Sequence, residues 1–131
     1  CDVSSFGAVK TAATSTRELL KGASIDILIN NAGIVSGKSI INLTEHDINR
    51  TMGVNYFAQC WLVKEFLPEM IERKHGHIVN ISSVMGLLGA SNLTDYCSSK
   101  FASVGFSHAL RFELKKLSGG TVTSTLICPY A

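Results

Sequence analysis

Tyr96 and Lys100 stand four residues apart in the stretch DYCSSK, residues 95–100, which is otherwise made of small, polar or weakly apolar residues. On a helix that spacing is one turn, so a phenol and an ammonium can reach the same small volume. A free phenol has a pKa of about 10 and is a weak base at neutral pH, whereas an ammonium within reach favours the charged form and moves proton transfer toward the working range. The same pair also arises by chance on a solvated helix face. It needs company before it means chemistry.

Company is present. Ser83 follows an apolar run and precedes Tyr96 by thirteen residues, and the intervening loop carries Gly86 and Gly89, so it can fold back and bring a strand-end hydroxyl to the first turn of the next helix. Taken alone, Ser82 and Ser83 read as strand-end punctuation. Asn55 sits inside an apolar helical pattern, where an amide fits poorly unless it meets a polar partner; in isolation it reads as a structural amide. Together, Asn55, Ser83, Tyr96 and Lys100 can converge on one edge of a sheet.

The elements that would position them are legible as patterns. The runs IDILINNAG (25–33), HIVNISS (77–83) and VTSTLIC (122–128) read as three strands buried on both faces, the last beginning with weaker alternation. Residues 5–21 read as a helix with a Ser start and Gly22 as its stop. Thr44 with Asp47 resembles a capping box, and it opens a helical region in which Met52, Phe57, Trp61, Leu62, Phe66 and Met70 recur at helical spacing. Those aromatic and Met positions are expected in the core or at a subunit interface, and Pro68 is expected to kink the helix. A third helix runs from about Asp95 to Leu117, with cations near its C-terminus. Helices alternating with buried strands predict an α/β fold with a parallel sheet, in which ligands bind at the carboxyl ends of the strands.

Composition excludes several classes. A chain of 131 residues with 46% hydrophobic and 17% charged content is an ordinary globular domain. A formal charge of +2 without a Lys/Arg block gives no footprint for nucleic acid. Cys1, Cys60, Cys97 and Cys128 are widely spaced and read as free thiols of a reducing compartment, Cys97 as a small buried residue. His75 and His77 flank a strand start without a third ligand and read as exposed loop residues, so no metal is expected. No apolar run approaches membrane-spanning length. The chain opens at Cys1 without a methionine and stops just after an apolar run, so a piece of a longer domain is expected.

NNAG (30–33), an Asn 24 residues after the second of those asparagines (Asn55), GHIVNISS with Ser83, YCSSK (96–100), Pro129 after the next strand and CDV (1–3) at the start occur in one order. In these pieces the chain resembles the short-chain dehydrogenase/reductase family. FLPEMIERKHGHIV, DYCSSKFASVGF and ICPYA look most like the branch that holds retinol dehydrogenases and 17-beta-hydroxysteroid dehydrogenases. The resemblance implies a Rossmann-like doubly wound parallel sheet, of which residues 1–131 would be the central portion of a single NAD(P)-binding domain. The Gly-rich loop that cradles the pyrophosphate and the C-terminal substrate lid would lie outside.

It further implies hydride transfer between NAD or NADP and an alcohol or carbonyl of a lipophilic substrate such as a retinoid, a steroid or a long-chain alcohol. Tyr96 would be the general acid/base, and Lys100 would lower its pKa and bond the nicotinamide ribose. Ser83 would hold the substrate oxygen, and Asn55 would hold a water linking Lys100 to solvent. Asp2 and Val3 would contact the adenine, and Asn31, Ala32 and Gly33 would line the cofactor ribose. A homodimer or tetramer through helices 51–73 and 95–117 is implied as well. So is a location in the cytoplasm or at the cytosol-facing endoplasmic reticulum or lipid droplets, with any membrane attachment through an N-terminal segment. The alternative is a catalytically inactive scaffold or cofactor-sensing protein of the same fold, for which the intact set of four site residues would have no use.

Overall fold

The computed structural model describes residues 1–130. Helix α1 (Phe6–Leu20) opens where the Ser5 hydroxyl accepts the Ala8 N–H, and closes at Lys21, whose φ of 48° is left-handed. Strand β1 (Ile27–Asn30) follows, then a single 3₁₀ turn at Ile40–Asn42. Helix α2 (Glu45–Met52) carries the expected capping box: Asp47 N–H donates to the Thr44 hydroxyl, and the Asp47 carboxylate accepts from the Thr44 N–H. Hydrogen bonds from Lys38 and Thr44 hold that carboxylate well below the usual aspartate range.

A π-helical turn (Gly53–Phe57) joins α2 to α3 (Ala58–Arg73) without a break. Pro68 lies inside α3, which runs on through it as an α-helix; the irregular turn is at 53–57 instead. Strand β2 (Gly76–Ile81), a 3₁₀ turn (Val84–Gly86), helix α4 (Thr94–Ser118) and strand β3 (Val122–Ile127) complete the order.

The three strands form one parallel sheet in the order β1-β2-β3, with Ile27 opposite His77 and Gly76 opposite Val122. Alternate residues of the strands enter the core with the helices: Leu28, Ile78 and Val122 pack with Ala13 of α1, Val63, Phe66 and Met70 of α3, and Leu110 and Leu114 of α4. Each large apolar side chain buried this fully contributes about 1.5–3 kcal/mol, so this shared cluster is what holds the helices on the sheet.

The opposite face of the sheet differs from the expectation of strands buried on both sides. Ile27 is 59% exposed and Ile29 60% on β1, and Ile127 on β3 is exposed on the same face. Among the described residues all the core-forming helices lie on one face. A run of apolar residues therefore marks a strand without showing that both of its faces are covered. His77 also departs from the exposed-loop reading. It is the second residue of β2, and its two ring nitrogens meet the Thr123 and Thr125 hydroxyls at 2.7 and 2.9 Å.

Because the sheet is parallel, the three strands deliver Asn31–Gly33, Ser82 with Ser83, and Cys128 with Pro129 to one edge. No helix among the described residues is long and apolar enough to cross a membrane, and no metal-binding cluster is found among them.

Candidate active site

Asn55 lies in the π-helical turn and is fully buried. Its Oδ1 accepts the Ile34 N–H at 2.8 Å, while Nδ2 donates to the Ile34 carbonyl and to Ser99 Oγ, both at 2.9 Å. The amide thus grips both backbone groups of one residue in the loop after β1 and reaches α4 as well. Both of its protons are committed to protein acceptors, so a water at Asn55 would have to use the remaining Oδ1 lone pair or the backbone.

Lys100 projects from α4 with only 4% of its surface exposed. Its Nζ lies 5.5 Å from the centroid of the Tyr96 ring, within cation–π range, and makes one long hydrogen bond of 3.4 Å to the Ile81 carbonyl. An ammonium has three protons to place. No carboxylate pairs with it among the described residues. Burial pushes its pKa below the usual lysine value, against a smaller opposing effect from the Cys128 thiol. A buried cation short of acceptors, aimed at the sheet edge, fits a ligand that brings hydroxyl oxygens.

Gly33 leaves space at this point. A Cβ there would stand 3.4 Å from Lys100 Nζ and 3.7 Å from Asn55 Oδ1, so the Asn31–Gly33 turn, the amide and the ammonium meet in one small volume.

Ser83 ends the strand in an extended conformation, and its Oγ accepts the Met85 N–H at 3.1 Å. That leaves the hydroxyl proton free to be donated. The preceding Ser82 is buried and donates to the Lys100 carbonyl at 3.1 Å, fastening the end of β2 to α4 at the residue that carries the ammonium. Gly86 makes the same junction tight: a Cβ there would lie 2.7 Å from the Lys100 carbonyl oxygen and 2.8 Å from Val104 Cγ2. Of the two serines between Tyr96 and Lys100, Ser98 is exposed and donates to the Thr94 carbonyl, whereas Ser99 is buried.

Asp2 turns its carboxylate onto the Ser4 N–H and hydroxyl at 2.9 and 2.7 Å, bonds that hold its pKa below the ordinary value. It lines an open cleft of about 850 Å³ with Arg50, Phe57 and Trp61. None of Asn55, Ser83, Tyr96 or Lys100 lines that cleft. Val3, Asn31 and Ala32 share a smaller hollow of about 120 Å³ with Asn30 and Gln59. The residues expected to touch a cofactor thus fall in separate places: Asp2 at the large cleft, Val3, Asn31 and Ala32 at the small hollow, and Gly33 beside Lys100 and Asn55.

The family model described as short chain dehydrogenase matches residues 1–131. The chain belongs to that family. Short-chain dehydrogenase/reductase family 16C member 6 of Bos taurus is 46% identical over 106 residues, covering 81% of this chain and 34% of the relative. Retinol dehydrogenase 10-B of Danio rerio is 43% identical over 130 residues, covering 99% and 38%. The chain therefore spans little more than a third of these relatives.

Two solved short-chain dehydrogenases extend the likeness to structure. A metagenomic short-chain oxidoreductase in complex with NADP superposes with a TM-score of 0.88 at 30% identity, covering all of this chain and 57% of its own. One from Burkholderia phymatum in complex with NAD gives 0.90 at 32% identity, covering 98% and 45%. The partial, Rossmann-like parallel sheet expected from the sequence is the fold of this short-chain dehydrogenase.

Proposed function

We propose that residues 1–131 supply the proton-transfer site, and part of the cofactor groove, of an NAD(P)-dependent oxidoreductase acting on the alcohol or carbonyl of a lipophilic substrate: a retinoid, a steroid or a long-chain alcohol. The observation that carries this reading is the buried, under-bonded ammonium of Lys100 beside the Tyr96 ring, with Ser83 on the adjoining strand end. Bound NAD or NADP would accept or donate the hydride.

The chain's own residues do the rest. Tyr96 takes the alcohol proton in oxidation and returns it in reduction, and the Lys100 ammonium favours the intervening phenolate by Coulomb attraction. The Ser83 hydroxyl donates to the substrate oxygen and orients it. Spare protons on Lys100 hold hydroxyl groups of the cofactor ribose, with Asn31, Ala32 and Gly33 lining that ribose and Asp2 and Val3 flanking the adenine. Asn55 shapes the site by pinning Ile34.

These residues form the central portion of a single dinucleotide-binding domain whose phosphate-cradling Gly-rich turn and substrate lid lie outside them. Two copies pair through 51–73 and 95–117, where Phe57, Phe101 and Phe112 are exposed. By its likeness to the retinol dehydrogenases, the native protein would sit in the cytoplasm or at a cytosol-facing membrane of the endoplasmic reticulum or a lipid droplet.

The test is turnover by the native polypeptide supplied with NAD or NADP and, in turn, retinol, a hydroxysteroid and a long-chain alcohol. Reduction of the cofactor with at least one of them is expected. No turnover with any, despite measurable cofactor binding, would favour the inactive cofactor-sensing reading.

A further inference from the structure

A polar ladder runs between the α2–α3 helix and α4. Thr51 Oγ1 donates to Asp95 Oδ2 at 2.8 Å, Asn55 Nδ2 donates to Ser99 Oγ at 2.9 Å, and Ser103 Oγ donates to Gln59 Oε1 at 2.8 Å. Successive rungs are four residues apart on each helix, and every rung joins positions separated by 44 in the chain. All six side chains are more than nine-tenths buried. Constant separation means the two helices run side by side in one register. Sliding either along the other would leave each of these groups buried without a partner, which is the costly outcome for a polar side chain.

The middle rung is Asn55. The first rung has the more telling position, because Thr51 lies one turn before Asn55 and Asp95 is the residue next to Tyr96. Thr51 Oγ1 is also 3.2 Å from Ser36 Oγ, on the same loop whose Ile34 is held by Asn55. One threonine therefore joins the loop after β1, the helix that carries Asn55 and the helix that carries Tyr96 and Lys100. Asp95 depends on it: Oδ2 accepts the Thr51 hydroxyl, and Oδ1 is buried with no hydrogen-bond partner among the described residues. A buried carboxylate so thinly supported is a weak source of stability. Its fit is to a geometric role.

We propose that Thr51 and Asp95 are positioning residues, whose hydrogen bond sets the first turn of α4, and with it the Tyr96 phenol, against the loop pinned by Asn55. The inference rests on the oxidoreductase reading of the site. Removing the Thr51 hydroxyl takes away the one donor that the Asp95 carboxylate has among the described residues, and the link to Ser36. The start of α4 is then free to relax away from the loop, while the ring of Tyr96 and the ammonium of Lys100 remain in place relative to each other on their shared helix.

The experiment compares Thr51→Val, Thr51→Ser, Asp95→Ala and Tyr96→Phe in the native polypeptide, measuring kcat per folded molecule, KM for the alcohol, cofactor Kd and Tm. Thr51→Val and Asp95→Ala should each lower kcat by about tenfold or more, as expected of a misplaced catalytic group. The double change should lower it little further, because both act through one bond. Cofactor Kd should move by less than about threefold, since the loss is confined to the transition state. Thr51→Ser, which keeps the donor, should restore kcat to within about threefold.

Wild-type kcat in Thr51→Val, or a Thr51→Ser variant as slow as Thr51→Val, would overturn the proposal. So would a fall in Tm with kcat per folded molecule unchanged. If Tyr96→Phe abolishes turnover while Thr51→Val does not, the positioning role alone fails. If Tyr96→Phe turns over normally, the site reading and the positioning role fail together.

Discussion

Lys100 carries the largest electrostatic strain in the site. Its ammonium is removed from water, has one long hydrogen bond and faces no carboxylate among the described residues. An arrangement of that kind is costly to the fold and useful to a reaction, because the unsatisfied protons are available to a ligand and the charge is undiluted by solvent. Lys100→Met keeps the stem and removes the charge. It should abolish turnover, by about a hundredfold or more, yet raise Tm by a few degrees.

The pH dependence has a definite sign. Burial lowers the folded-state pKa of Lys100, so above that value and below the ordinary lysine pKa the unfolded chain binds the extra proton, and stability rises with pH through the window. The Tm advantage of Lys100→Met should therefore be greatest near neutrality and shrink as pH approaches about 10. Thermal melts of both proteins across that range check it; an advantage independent of pH would refute the burial account. The pair itself was legible in the sequence, since one-turn spacing is a local property. The strain on Lys100 was not, because it depends on which groups from β1, β2 and β3 come within reach.

At the scale of elements, the site is a junction of strand ends with the start of one helix, and its precision comes from contacts across that junction. Ser82 and Gly86 clamp the end of β2 and the following 3₁₀ turn onto the Lys100 carbonyl. Gly86→Ala would put a methyl group 2.7 Å from a backbone oxygen, so the turn or the helix must give way. Overpacking of this kind costs about 1–3 kcal/mol. Turnover should fall with it, because Ser83 and the Tyr96–Lys100 turn move relative to each other. Denaturant melts and steady-state rates on the variant measure both; unchanged values would show that the junction is soft.

Helices, strands and the Thr44–Asp47 cap could be read from period and punctuation. Ser99, Thr51 and Asp95 could not be assigned, since their meaning lies in partners 44 residues away. A signal was present all the same: 51, 55 and 59 on one helix and 95, 99 and 103 on the other put polar residues at core spacing. Pro68 drew attention as the breaker, while the irregular turn formed around Gly53 and Asn55.

For the whole molecule, two surfaces remain to be accounted for. The sheet face with Ile27, Ile29 and Ile127 has no helix over it among the described residues, and the chain spans only 34% of the Bos taurus relative and 38% of the Danio rerio one. The exposed aromatic rings on the π-helical turn (Phe57) and on α4 (Phe101 and Phe112, the latter 75% exposed) suit a second copy. The native polypeptide should sediment at no less than twice its protomer mass at micromolar concentration, and Phe112→Glu should shift it toward the monomer. A wild-type monomer under those conditions would exclude pairing through these helices.

The proposed reaction depends on Tyr96 as the group that moves the proton. Its most direct test is Tyr96→Phe in the native polypeptide, with cofactor binding and alcohol oxidation measured on the same preparation. Loss of the hydroxyl should leave NAD or NADP affinity within about threefold of wild type while oxidation falls by a factor of about a hundred or more. Undiminished oxidation by Tyr96→Phe would contradict the central claim.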